Sequence, residues 1–407
     1  MLDRSRAAAI RPTIATSVLS CCLLLVVACS NDLQAVFSPP VVCRPGGPVV
    51  ESVFLIGDAG APELPDENAQ DPDALVDPVL SALSTRVAQS VAQVGAERTA
   101  VVFLGDNVYP AGMPPVGEPG HAHAARVIDA QIAAAGDARG LFTLGNHDWV
   151  QGADRGWARA RAQADYLAQA GPKISLHPAE TCAGPDELEF GDHLHLVFFD
   201  LWAAIYQIEH PDDDGQSHCR PVAGEGRILA AVDTVLGDVG SRRTVLVTHP
   251  PMLTSGPHGG YFPWREHLFP FRVFRRDLWI PLPVLGSLFP IARMFGVTDT
   301  DQMSARYSNY VRRAKSLFVP GHPTLVAAGH EHSLQVHIDP TGVFHAVSGA
   351  GSVKKVDYVR DMKSDLMSLA APGFMRLDAY RDGTLRLGVI AGDRDGPFDL
   401  VFSTCIP

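Results

Sequence analysis

The sequence predicts an α/β fold built on a parallel sheet. Three observations point there. Short apolar runs recur along the chain, each cut off by a glycine or a polar group. Stretches with a helical apolar stripe stand between the first of these runs, and strand–helix–strand order makes parallel sheets. The chain has 407 residues, 46% of them apolar, enough for one large domain or two ordinary ones. The organising stretch is Val101–Pro110. Val101–Leu104 reads as a strand buried on both faces, Gly105 turns the backbone, and Asp106 and Tyr109 follow on the turn. Loops after the carboxyl ends of parallel strands form the rim of an active site.

The other elements follow in order. Val49–Ile56 is a strand ending in Gly57-Asp58-Ala59-Gly60. Asp77-Pro78 starts a helix, with a capping acid and proline at the first helical position. Leu80, Leu83, Val87, Val91 and Val94 make its apolar stripe, and Gly95 stops it. Ala122–Ala135 is a second helix, and Leu141–Leu144 a strand ending in Gly145-Asn146-His147-Asp148. Gly156–Ala170 is helical, Glu187–Phe190 and Leu194–Asp200 are strands of an antiparallel continuation, and Gly226–Leu236 is a helix. Thr244–Thr248 is a strand ending in His249, with His258 nine residues on. A helix near Ser304–Phe318 precedes the strand Thr324–Ala328, which ends in Gly329-His330-Glu331-His332. Leu334–Ile338, Val343–Ser348, Phe374–Tyr380 and Leu385–Ile390 close the chain as short strands.

The net charge of −12 argues against nucleic acid as a partner. Arg4, Arg6 and Arg11 precede an apolar stretch, Thr13–Ala28, with Cys29 directly after it. This is the pattern of an export signal, with an uncleaved membrane anchor as the alternative. Val26-Val27-Ala28-Cys29 resembles a bacterial lipobox, which implies cleavage before Cys29 and acylation of that cysteine. Residues 1–28 are then the signal peptide, 29–48 a proline-rich tether, and 49–407 one domain. Of seven cysteines, Cys43, Cys182, Cys219 and Cys405 remain, an even number that suits an oxidising compartment. Four cysteines allow three pairings. Cys43–Cys405 and Cys182–Cys219 are expected, because domain termini are often close and the second pair flanks one strand pair.

Five strand ends thus deliver Asp58, Asp106 with Tyr109, Asn146 with His147, His249, and His330 with His332. Each alone has an ordinary explanation: a turn-capping aspartate, a left-handed asparagine, a buried histidine. Together they form an oxygen and nitrogen donor set for borderline or hard metals, with a phenolate that favours trivalent iron. A carboxylate can bridge two ions, the usual device for in-line phosphoryl chemistry.

This order of motifs resembles the purple acid phosphatases, within the calcineurin-like metallophosphoesterases. The resemblance rests on Gly57–Gly60, Gly105–Tyr109, Gly145–Asp148, Val245–His249 and Gly329–His332, and on the late Ser348–Gly351 turn. Tyr109 is its most telling member, because the first motif has Ala59-Gly60 where ordinary superfamily members carry a histidine. The resemblance implies an α/β, calcineurin-like four-layer α/β/β/α sandwich. It implies Fe(III) held by Asp58, Tyr109 and His332, and a divalent ion (Zn, Fe or Mn) held by Asn146, His249 and His330. Asp106 would bridge them. His147 and His258 would contact the phosphate, one of them protonating the leaving alkoxide. The implied activity is a phosphomonoesterase acting on small phosphate esters at the cell envelope. Alternatives are a phosphodiesterase or nucleotide hydrolase with the same site and, from another class, a non-catalytic surface binding protein.

An insertion spans about 259–303. Its stretch Gly259–Val297 mixes Tyr, Phe and Trp with Arg265, Arg272, Arg275, Arg276 and Arg293. It is expected to be a lid that packs its aromatics on the domain and gates bulky substrates. The alternative is a surface that dips into lipid headgroups.

Overall fold

The computed structural model describes residues 35–66, 68–72, 74–153, 155–206, 225–237, 240–273 and 278–407. The signal peptide, Cys29 and Cys219 lie outside these residues. The strands, in chain order, are β1 (Ala35–Phe37), β2 (Val49–Ile56), β3 (Thr99–Phe103), β4 (Arg139–Phe142) and β5 (Ile174–Leu176). Then come β6 (Asp186–Phe190), β7 (Leu194–Phe198), β8 (Arg243–Val247), β9 (Leu325–Ala328) and β10 (Leu334–Ile338). The last are β11 (Phe344–Ser348), β12 (Asp365–Leu369), β13 (Gly373–Tyr380), β14 (Leu385–Ala391) and β15 (Asp399–Ile406).

They form two mixed sheets. One runs β15-β14-β13-β2-β3-β4-β5, the other β1-β12-β10-β11-β9-β8-β7-β6. β2, β3, β4 and β5 are parallel, as are β7, β8, β9 and β11. The apolar runs are continuous because both faces of each sheet are covered. Val53 and Leu55 of β2 join Val245 and Val247 of β8 in one core between the sheets. Phe54, Ile56 and Leu246 point the other way, into the core beneath the helices. Side chains alternate along a strand, so each strand feeds both layers. The result is the expected four-layer α/β/β/α sandwich.

The helix Pro78–Val94 begins and ends where its signals stand. The Asp77 carboxylate accepts from the Val79 and Leu80 amides, and Gly95 closes the helix at φ 93°. Leu80, Leu83 and Val87 are its buried stripe. Helices His121–Ala135, Gly156–Gln169, Glu225–Gly237 and Ala305–Lys315 fall at the expected places.

Several features were not expected. After β7 the chain turns into a short helix, Leu201–Tyr206, with Trp202 fully buried. β5, β12 and β15 are additional strands. The expected tether is already part of the fold from Ala35. β1 pairs antiparallel with β12, and the Val41 amide donates to Thr404 Oγ1. The Cys43–Cys405 disulfide forms, with Cα atoms 5.9 Å apart. Cys182 is also disulfide-bonded, and the expected partner Cys219 lies outside the described residues. The insertion contributes two short helices, Trp264–Leu268 and Leu288–Met294. Tyr261 and Phe262 pack inward, but Trp279, Phe295 and their apolar neighbours are exposed. The insertion therefore does not pack all its aromatics on the domain.

Candidate metal centre

The strand ends that carry chemistry come from both sheets and meet at one end of the sandwich. Asp58, Asp106 and Asn146 follow β2, β3 and β4; His249 and His330 follow β8 and β9. Backbone bonds tie these turns together: Asp58 N–H to Gly105 O (3.0 Å) and Gly329 N–H to His249 O (2.9 Å). Asp58, Asp106 and His330 all have φ between 55° and 68°, a left-handed conformation that non-glycine residues hold only when surroundings enforce it. The glycines of the motifs allow the close approach. A Cβ on Gly145 would lie 2.2 Å from Asp106 Oδ1, and one on Gly105 2.6 Å from His249 Nδ1.

Two donor sets result. In the first, the Tyr109 hydroxyl oxygen lies 2.8 Å from Asp58 Oδ1, 2.9 Å from Asp106 Oδ2 and 3.1 Å from His332 Nε2. In the second, Asn146 Oδ1 lies 3.0 Å from His249 Nε2 and 2.9 Å from His330 Nδ1. Asp106 joins them. Its Oδ2 faces Tyr109, and its Oδ1 lies 3.5 Å from His249 Nε2 and accepts the His147 amide at 2.8 Å. Buried Asp58, Asp106 and His249 alone offer three ligand atoms close enough for one ion.

The proton bookkeeping fits cations. A carbonyl oxygen only accepts, so His330 Nε2 donates to Thr300 O (2.9 Å) and His249 Nδ1 to Leu104 O (2.6 Å). Burial, with His258 and His249 nearby, pushes the His330 pKa well below its ordinary value, so its ring is neutral. Its Nδ1 then turns a lone pair toward the Asn146 amide oxygen, with no proton between. In the other set, burial works against charge on His332, but Asp357 at 2.8 Å and Asp58 hold its proton on up to about 10. Burial and the charges of Asp106 and Asp58 push the Tyr109 phenol well above its usual range. A cation bound here would meet the Asp58 and Asp106 carboxylates and the Tyr109 oxygen, and would take over the charge balance that the His332 proton supplies without it. The residues fit a two-ion centre.

His147 and His258 flank this centre. His147 Nδ1 donates to Pro110 O (2.6 Å), and its Nε2 lies 3.9 Å from Asp106 Oδ2. The His258 ring lies 4.1 Å from that of His330, centroid to centroid. All nine residues expected from the sequence are therefore together.

Several neighbours were not foreseen. Asp301, fully buried and contributed by the insertion, lies 3.0 Å from His258 Nδ1 and is clamped by Arg293. Asp357 orients His332. Lys355 Nζ sits 3.0 Å from the centroid of the Tyr109 ring. Buried Glu331 accepts from the Thr254 hydroxyl and the His258 amide. Asp148 accepts from the Gly145, Asn107 and Val108 amides and so buttresses two motif turns. Only Asp148 and Glu331 had a signal, as members of Gly-Asn-His-Asp and Gly-His-Glu-His.

The chain matches no family model, and no curated protein matches it by sequence. Solved structures do resemble it. One is the purple acid phosphatase PPD1 from yellow lupin (Lupinus luteus) seeds, at a TM-score of 0.52 and 14% identity over 89% of this chain and 54% of that one. Another is GAP50, the anchor in the inner membrane complex of Plasmodium, at 0.51 and 13% identity over 88% of each chain. At such identities the likeness concerns the fold. With the layers and topology above, it establishes that the chain has a calcineurin-like metallophosphoesterase fold, a four-layer α/β/β/α sandwich.

Proposed function

We propose that the chain is a binuclear-metal hydrolase of phosphate esters, a purple-acid-phosphatase-like phosphomonoesterase. One observation carries this reading. Tyr109, Asp58, Asp106 and His332 close on one point, Asn146, His249 and His330 on a second, and Asp106 turns one carboxylate oxygen to each. The fold alone does not carry the activity, since one similar structure is an anchor. Asp58, Tyr109 and His332 would hold Fe(III), and Asn146, His249 and His330 the divalent ion. When bound, such ions make water acidic enough to serve as nucleophile and offset the phosphate charge.

The chain's own residues do the rest. Asp106 keeps both donor sets in register. Pro110 fixes the His147 ring, and Asp301 fixes that of His258, each through Nδ1, so Nε2 is left to meet substrate. One Nε2 binds a phosphate oxygen, and the other gives its proton to the leaving alkoxide. The test is metal analysis of purified protein beside a panel of phosphate mono- and diesters. Two metal ions per chain with fastest turnover of monoesters is expected. Metal-replete protein that hydrolyses neither class would overturn the activity.

We also infer that the protein works at the cell envelope, as a lipoprotein acylated on Cys29. The lipobox-like Val26–Cys29 and the Cys43–Cys405 disulfide support this. A Cys29→Ser chain expressed in a bacterial host should stay unprocessed and lose its acyl group. Unchanged processing and detergent partition would contradict it.

A further inference from the structure

Eleven of the eighteen exposed large apolar side chains among the described residues fall between Phe271 and Met303. Val284, Leu285, Leu288, Phe295 and Val297 are more than 60% exposed, and Trp279 is 52% exposed. Exposed apolar residues scattered singly need no explanation, but a cluster of this density marks a docking surface. The segment is also unlike its chain in charge. Gly259–Val297 holds five arginines against Glu266 and Asp277, a net +3, and the whole insertion to residue 303, with Asp299 and Asp301, is still +1 in a chain of −12.

The placement of the amino terminus says what covers this face. The insertion stands at the metal-centre end of the sandwich, because Thr300 accepts from His330 and Asp301 from His258. β10 starts at that same end, two residues after His332. Its first residue, Leu334, is level with Leu369 of β12, and Leu369 with Ala35 of β1. The described chain therefore begins at the metal-centre end, about 10 Å to the side of β10. Cys29 stands six residues before Ala35, a reach of at most about 20 Å even if fully extended. The apolar run Thr13–Ala28 and the lipobox-like cysteine thus precede a chain that enters the fold at the same end of the sandwich as the insertion.

We propose that this face docks on a lipid bilayer, with the apolar side chains of 279–297 seated at the level of the headgroups and the mouth of the metal centre turned toward the membrane. Exposed apolar area within a stretch richer in arginine than the rest of an acidic chain is the composition of an interfacial surface. The inference shares the envelope location of the proposed function, but it needs no catalysis.

The test uses the mature chain from Ser30, which keeps every described element and has no acyl group, with vesicles of phosphatidylcholine alone or with phosphatidylglycerol. Cosedimentation is expected, stronger with phosphatidylglycerol. A blue shift of tryptophan emission should accompany it and be lost in Trp279→Phe. The triple variant Leu285→Asp, Leu288→Asp, Phe295→Asp should bind at least about tenfold more weakly. Its metal content and its turnover of a soluble phosphate ester should not change. Should that variant fail to fold, Val284→Asp with Val297→Asp reads the same face. No cosedimentation overturns the proposal. So does a dimer seen by light scattering in the parent and lost in the variant, since a second copy would then cover the face. Binding is read without turnover, so an inactive protein that still binds vesicles contradicts only the phosphoesterase reading.

Discussion

Asp106 and its contacts show how little freedom a single residue has here. Gly145 and Gly105 are glycines because any side chain would strike a donor atom. Gly145→Ala would place a Cβ against Asp106 Oδ1, so the bridge must shift. We expect this variant to fold with its cores intact but to bind metal at least about tenfold more weakly, as isothermal titration would show. Asp301 is a positioning residue. Its carboxylate fixes the His258 ring through Nδ1. Asp301→Leu should lower kcat by about 10- to 100-fold on alkyl phosphates, whose leaving group needs a proton, and less on aryl phosphates, with KM little changed. Equal loss on both substrates would make Asp301 merely structural. The clustering of the candidate ligands was legible in the sequence because each sits just after a strand. Asp301, Asp357 and Lys355 were not. They reach the centre by tertiary packing of loops and have no motif, and Thr298–Asp301 reads locally as an ordinary polar turn.

Elements were legible wherever local signals agreed with the final packing. Pro78–Val94 has its cap, stripe and terminal glycine, and the core strands have apolar runs. β1 and β12 had no such signal. β1 is three residues long, and β12, Asp365–Leu369, gains its place only by pairing with β10 and β1. β11 illustrates a cost of burial. His345 on this strand is 2% exposed, and its Nδ1 has no hydrogen-bond partner among the described residues. Burial pushes its pKa down to about 4, against the pull of Asp339 at 3.3 Å; Lys315 and His337 push the same way as burial. Because the folded value lies below the unfolded value of about 6.5, the unfolded chain binds more protons between the two. The stability is full above about pH 6.5 and falls as pH drops toward 4, by roughly 3 kcal/mol for this group. Urea titrations of the parent and His345→Gln across that window should show a shallower acid loss in the variant. Parallel curves would mean His345 is not the group responsible.

For the molecule as a whole, each donor set draws on both sheets, Asp58 and Tyr109 with His332, and Asn146 with His249 and His330, so the sandwich must close for the two sets to exist. Cys43–Cys405 ties the segment between β1 and β2 to the last strand, β15. Replacing both cysteines with alanine should lower unfolding stability by about 2–4 kcal/mol while leaving metal binding in the folded protein intact. A matched fall in metal affinity would show that the disulfide shapes the centre itself. On the proposed function, the two sheets bring Tyr109 into a site that would hold Fe(III). A phenolate bound to Fe(III) absorbs in the visible by charge transfer from ligand to metal. Tyr109→Phe keeps the ring and removes the donor oxygen. The decisive measurement is the absorption spectrum of iron-loaded protein beside this variant at equal iron content. A violet parent and a colourless variant are expected. A colourless parent with iron bound, or the same band in both, would contradict Tyr109 as a ligand and leave a metallophosphoesterase fold without its phenolate.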